Sequence, residues 1–223
     1  MRLSRTLKSF GTLSLINFGR KHAERLAQHA SPEIAARAAI VTAAVDDLEA
    51  AYTERRPLAA LWSQAAAAKE SANDALDAAI TALSYDLLAP SLLDGDRKAP
   101  AYRALFPKGN IAFISGPDRA ELAQVAGMIM YLDAHPEHPM ASRAADLEAK
   151  SVALSDSFEP VTAAETALRN AQAVEKGCRA ELVRVLRKSA AVLRGALMDE
   201  AQVDALFPPI ADVKVAEDEA QAA

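Results

Sequence analysis

Residues 104–107 read Ala-Leu-Phe-Pro, and residues 205–208 read Ala-Leu-Phe-Pro again. Other matches precede each copy in the same order. Leu26-Ala27-Gln28 recurs as Leu122-Ala123-Gln124, Asp47-Leu48-Glu49-Ala50 recurs as Asp146-Leu147-Glu148-Ala149, and Pro57 corresponds to Pro160. The offsets are 96, 99, 103 and 101 residues, the drift of a duplicated helical unit that has taken up small insertions. An alanine-rich chain yields chance matches, so the case rests on the collinear order and the shared Phe-Pro ending. The expected fold is all-α, a bundle of about six helices built from two tandem pseudo-repeats of three. Residues 1–116 form the first repeat with a basic N-terminal segment, 117–209 the second repeat packed on the first, and 210–223 an acidic tail.

Bulk composition agrees with helices. Apolar residues make up 51% of the 223, but aromatics only 5%, so the core has to be aliphatic and small. Glycine is absent from Arg20 to Asp94, and three prolines interrupt a span of good helix formers. The best candidates for extended structure are Ile111 to Ile114 and Val213 to Val215. A single cysteine, Cys178, excludes an internal disulfide and reads as a buried or half-buried thiol. No run approaches the roughly 20 apolar residues that span a bilayer, and the N-terminal stretch lacks a cleavage site. The chain reads as cytoplasmic.

Helical spacing places Leu15, Ile16, Ala23, Leu26 and Ala27 on one face of a helix over 12–29, with Arg20, Lys21, Glu24 and Arg25 opposite. Ser31-Pro32-Glu33 predicts a helix start, with the serine as N-cap. From there Ile34, Val41, Val45, Leu48 and Tyr52 form a seam that runs to about Glu54. Pro57 removes a helical hydrogen bond, and a turn is expected there and before Pro160, where Ser155-Asp156-Ser157 offers capping chemistry. A kink instead of a turn at Pro57 would leave residues 32–88 as one rod of about 85 Å. The next helix, Leu58 to Leu88, carries Leu58, Leu61, Trp62, Ala65, Ala72, Leu76, Ile80, Leu83 and Leu87 on one stripe, which makes Trp62 a core anchor.

The second repeat opens at Gly116-Pro117-Asp118. Its first helix has Leu122, Val125, Ile129 and Leu132 as a seam, with Met128, Met130 and Tyr131 widening the apolar arc to more than one side. After the His135 to Pro139 break, a short helix with Met140, Ala144, Leu147 and Leu154 in phase precedes a long one from Pro160 to about Leu197.

Chemical motifs are few. Asp133, His135, Glu137 and His138 put four metal-ligand side chains within six residues, but the flanking prolines read first as a turn, and ligand spacings such as His-Glu-x-x-His do not occur. No Glu-x-x-His, phosphate-loop or nucleophile-elbow pattern is present, so no catalytic residue and no cofactor is assigned. Within residues 1–29 six positive charges face Glu24 alone, a net of +5, and the whole chain is −5, which leaves −10 for the rest. Arg20, Lys21 and Arg25 could hold nucleic acid or an anionic membrane. The acidic balance favours neutralisation within the protein or by a second subunit. Leu105-Phe106 and Leu206-Phe207 read as structural plugs at the end of each repeat. These features together predict a non-enzymatic helical interaction or scaffold protein whose partner is a protein, including itself as a homodimer.

Overall fold

The computed structural model describes residue 7, residues 9–111 and residues 118–213. Every regular element among them is helical, and no strand occurs. In chain order these are α1 (Thr12–Ala27), α2 (Pro32–Ala35), α3 (Arg37–Leu87), α4 (Pro100–Leu105), α5 (Asp118–Ala134), α6 (Ala144–Leu197) and α7 (Glu200–Ala205), with 3₁₀ turns at Ala141–Arg143 and Ile210–Asp212. No helix among the described residues is long and apolar enough to cross a membrane. Most of the expected extended stretches, residues 112–114 and 214–215, lie outside the described residues; Ile111 itself is helical and Val213 sits in a turn.

Both proline turns are overturned. Pro57 lies inside the 51-residue α3, and Pro160 lies inside the 54-residue α6. A proline withholds the hydrogen bond to the carbonyl four residues earlier, here on Thr53 and Asp156. Both of those residues and both prolines are exposed, so water can take the freed carbonyls. Strong burial on either side keeps each helix going: Val45, Leu48 and Ala51 precede Pro57, and Leu76, Ile80, Leu83 and Leu87 follow it. The four helices expected around the prolines are therefore two. Ser31 precedes α2 but makes no side-chain cap; its amide donates to His29 Nδ1 at 3.0 Å instead.

Two compact units divide the chain at different points from the two sequence copies. One is built from residues 1–60 and 166–223, the other from residues 61–165. In the first, Leu15, Ile16, Phe18 and Leu26 of α1 pack with Val41, Val45 and Leu48 of α3, Leu182, Leu186 and Leu193 of α6, and Leu206 and Phe207. In the second, Val125, Met128 and Leu132 of α5 pack with Leu147 and Leu154 of α6, Leu76, Ile80, Leu83 and Leu87 of α3, and Tyr102, Leu105 and Phe106. Each core thus draws on one short helix, the opening of one long helix, the close of the other, and one Leu-Phe pair. Cys178 is half-buried against the first core.

Gly19 marks a close approach in the first unit. A Cβ there would sit 2.4 Å from Val45 Cγ2 and 3.5 Å from Leu182 Cδ1. Val45 is buried and β-branched, so its methyl has little freedom to move away. Gly19→Ala is expected to destabilise by about 1–3 kcal/mol despite the better helix propensity of alanine, read as a lower urea midpoint at unchanged slope.

The middle of the long helices departs from the stripe the sequence suggests. No residue from 52 to 75 in α3, or from 155 to 181 in α6, is buried. Leu61 is 53% exposed and Trp62 is 40% exposed, so Trp62 is not a core anchor. Alanine supplies too little side-chain area at Ala65 and Ala72 for the seam to close over them. In α5, Met130 is 74% exposed, which corrects the expectation of burial on more than one side.

Candidate functional site

Each basic side chain singled out in α1 has a partner within its own unit. Arg20 pairs with Glu49 on α3. Lys21 Nζ donates to the Asp212 carbonyl at 2.7 Å, and Arg25 donates to the carbonyls of Ala205 at 3.0 Å and Phe207 at 2.6 Å. Arg25 therefore serves as a clasp on the chain that carries Leu206 and Phe207. Arg2, Arg5 and Lys8 lie outside the described residues. All four Leu-Phe residues are buried: Leu105 and Phe106 in the second core, Leu206 and Phe207 in the first.

Asp133, His135, Glu137 and His138 do not converge on a common point. Asp133 and Glu137 are exposed. His135 Nδ1 meets the Tyr131 carbonyl at 2.8 Å, and the His135 ring stacks on Tyr131 with centroids 4.1 Å apart. Both nitrogens of buried His138 are engaged: the Met140 amide donates to Nδ1 at 3.2 Å, which leaves Nε2–H to donate to the Ala101 carbonyl at 3.3 Å. Among the described residues no group of three His, Cys, Asp or Glu side chains converges as a metal set.

Two polar sites that the sequence reading passed over lie at the cores. His22 has no exposure, and its Nδ1–H donates to the Leu206 carbonyl at 2.8 Å. A carbonyl can only accept, so Nε2 is the bare nitrogen and accepts from Ser189 Oγ at 2.9 Å. Phe207 stacks over the imidazole at 3.9 Å. Burial is the main cause that lowers the His22 pKa to about 4. A serine hydroxyl on a histidine nitrogen is the geometry of an activated nucleophile. Here Ser189 and His22 are both wholly enclosed, so no substrate reaches them and the pair holds the Leu206-Phe207 segment in place. The second core has a simpler pair, Ser84 Oγ and Tyr102 Oη at 3.1 Å, also buried.

The other site joins α3 and α5 in the second unit. Glu121, in the first turn of α5, is 1% exposed, and its Oε1 has no hydrogen-bond donor. Asp77 Oδ1 and Asn73 Oδ1 on α3 are likewise buried without one. Asp77 is within hydrogen-bonding reach of Glu121, and the Asn73 amide donates to Asp77 Oδ2 at 3.3 Å. Desolvation first, then the hydrogen bond and the charge of Asp77, then the charge of Asp118, push the Glu121 pKa up to about 8. A proton on Glu121 supplies the donor that the pair lacks. One turn earlier Lys69 and Asp118 form an ion pair at 2.5 Å. Beside them lies an open groove of about 380 Å³ lined by Trp62, Ala66, Lys69, Glu70, Asn73, Asp118, Val161 and Glu165.

One signal for these sites was available in the sequence. His22 continues the spacing Leu15, Phe18, His22, Leu26, and Glu121 continues the spacing Glu121, Val125, Met128, Leu132; each is a polar residue at a buried register position. Comparison with family models, with curated proteins and with solved structures finds no match for this chain.

Proposed function

We propose that this chain is a non-enzymatic, all-helical interaction or scaffold protein that associates with itself through the exposed middle of α3. The observation that carries the reading is the neighbouring pair Leu61 and Trp62, two large apolar side chains exposed by 53% and 40% next to each other in the middle of α3. Aromatic anchors beside small residues suit the centre of an interface, and Ala65 and Ala66 flank the pair. A second copy is the favoured occupant because the adjoining groove carries both signs, Lys69, itself paired with Asp118, beside Glu70 and Glu165, so that the same patch can face its own twofold copy without a net clash of like charges.

Two further observations support the same reading. The polar pairs at the cores serve packing, and neither offers an accessible nucleophile. The alternative of nucleic acid or an anionic membrane held by Arg20, Lys21 and Arg25 stands second, because those groups are engaged by Glu49 and by backbone carbonyls. The tandem architecture belongs to the proposal as well: copies over 1–116 and 117–209, followed by the tail over 210–223. Its support is the repeated order of a short helix, a long helix with one interior proline, and a short helix closing on Leu-Phe-Pro.

Light scattering coupled to size exclusion is expected to give twice the chain mass, with Trp62→Glu and Leu61→Glu shifting the protein to monomer at unchanged helicity. Both side chains are exposed, so neither change disturbs a core. A wild-type monomer at every workable concentration overturns the proposal.

A further inference from the structure

We propose that Asp77 and Glu121 form a proton-operated latch: one shared proton fastens the first turn of α5 to α3, and its loss lifts that turn away. The geometry is that of a carboxyl pair in which Asp77 Oδ2 accepts from the Asn73 amide, while Asp77 Oδ1 and Glu121 Oε1 are buried with no donor. Glu121 is almost wholly enclosed, and three buried oxygens, Glu121 Oε1, Asp77 Oδ1 and Asn73 Oδ1, have no hydrogen-bond partner while both acids are charged. With one proton present the pair becomes a carboxyl donating to a carboxylate, a strong charge-assisted hydrogen bond. With none, two like charges share a desolvated site, and the relief available is for Glu121 to move out to water.

The surroundings confine that movement to one turn. On α3, Lys69, Asn73 and Asp77 follow one another at four-residue spacing and meet Asp118 and Glu121, which are three apart on α5. Other charges around the site are Glu70 on α3, Arg119 on α5 and Glu165 on α6. Lys69 and Arg119 both lie over the Phe158 ring of α6, at 5.1 and 5.7 Å, and Lys69 is also paired with Asp118. Burial first, then Asp77 and Asp118, oppose ionisation of Glu121 and raise its pKa to about 8. Beyond the first turn α5 is held by Val125, Met128 and Leu132, which do not titrate. The polar turn can therefore open while the apolar remainder stays docked.

Amide hydrogen exchange on the full chain tests this, with rates corrected for the intrinsic rise with pH. Protection at residues 122–125 is expected to fall about tenfold between pH 7 and pH 9 while residues 128–134 keep theirs. Glu121→Gln, which cannot ionise, is expected to hold residues 122–125 at a constant level, and Asp77→Asn, which removes the like charge, is expected to do the same. A wild-type protein with unchanged protection over this range overturns the proposal. So does an equal fall in both variants, or a fall shared by the whole of α5, which would report unfolding of the unit. These readouts are independent of subunit mass, so failure of the latch and failure of self-association are distinguishable.

Discussion

Truncating Phe207 to alanine is expected to remove about 3–5 kcal/mol of folding free energy, a large share of the 5–15 kcal/mol that typically holds a domain together. The ring is 3% exposed, stacks on His22 at 3.9 Å and lies 6.1 Å from the Phe18 ring. The cost has a transfer part and a cavity part, and the cavity cannot close easily. His22 is pinned at both nitrogens, Phe18 also packs on Phe10 at 5.6 Å, and Arg25 holds the Phe207 carbonyl from outside. A spectroscopic signature separates this site from a generic core position. Opening the space above the imidazole admits water, so the His22 pKa is expected to climb from about 4 toward its ordinary 6.5, which an NMR titration reads directly. Phe106→Ala in the other core is expected to cost a similar amount, since Phe106 packs 5.1 Å from Tyr102, yet to leave the His22 titration in place. A loss below about 1 kcal/mol for Phe207→Ala, or an unmoved His22, would show that the Leu-Phe segment is not integral to the core.

Much of the helical pattern is legible in the sequence because buried aliphatic residues recur at helical spacing. Leu15, Leu26, Val41, Val45, Leu48, Leu76, Ile80, Leu83, Leu87, Val125, Leu132, Leu147, Leu154, Leu182, Leu186 and Leu193 all lie in the cores. What the pattern does not convey is how far it extends. Pro57 and Pro160 look like breaks because proline forfeits one hydrogen bond locally, whereas each helix is held by burial well to either side, at Ala51 and Leu76 in α3 and at Leu154 and Leu182 in α6. Trp62 looks buried because it continues a stripe, but a stripe closes only where a facing element supplies side chains, and around Ala65 to Ala68 little is supplied. For the sites, the α5 seam of Leu122, Val125, Ile129 and Leu132 holds at Val125 and Leu132, but it assigns no place to Glu121, which is buried beside Val125 and Met128. Periodicity gives greatest weight to apolar residues, and a carboxyl that is buried through a protonated pair carries no apolar mark. His22 was hidden for the same reason, since its partners, Ser189 and the Leu206 carbonyl, are 167 and 184 residues away.

Stability measured against pH is expected to show two arms of opposite sign, one from each unit. His22 has a folded pKa of about 4 against an ordinary 6.5. Above pH 6.5 it is neutral in both states and its contribution is complete. As pH falls from 6.5 toward 4 the unfolded chain takes up a proton that the folded chain refuses, and about 3 kcal/mol is lost. Glu121 has a folded pKa of about 8 against an ordinary 4.5. Below pH 4.5 it is protonated in both states and its contribution is complete. As pH rises from 4.5 toward 8 the unfolded chain releases a proton that the folded chain retains, and stability falls by a few kcal/mol. Between 4.5 and 6.5 the two slopes oppose each other, so the contribution of this pair is level there, and it drops on the alkaline side from 6.5 to 8. Urea unfolding across pH 4 to 9 separates the arms. In His22→Gln the acid arm is gone, and stability should decline continuously from pH 4.5 to 8. In Glu121→Gln the alkaline arm is gone, and stability should rise from pH 4 to 6.5 and then stay level. Identical profiles in the two variants would mean that neither buried group governs the pH response, and the ionisation states assigned to both sites would have to be abandoned.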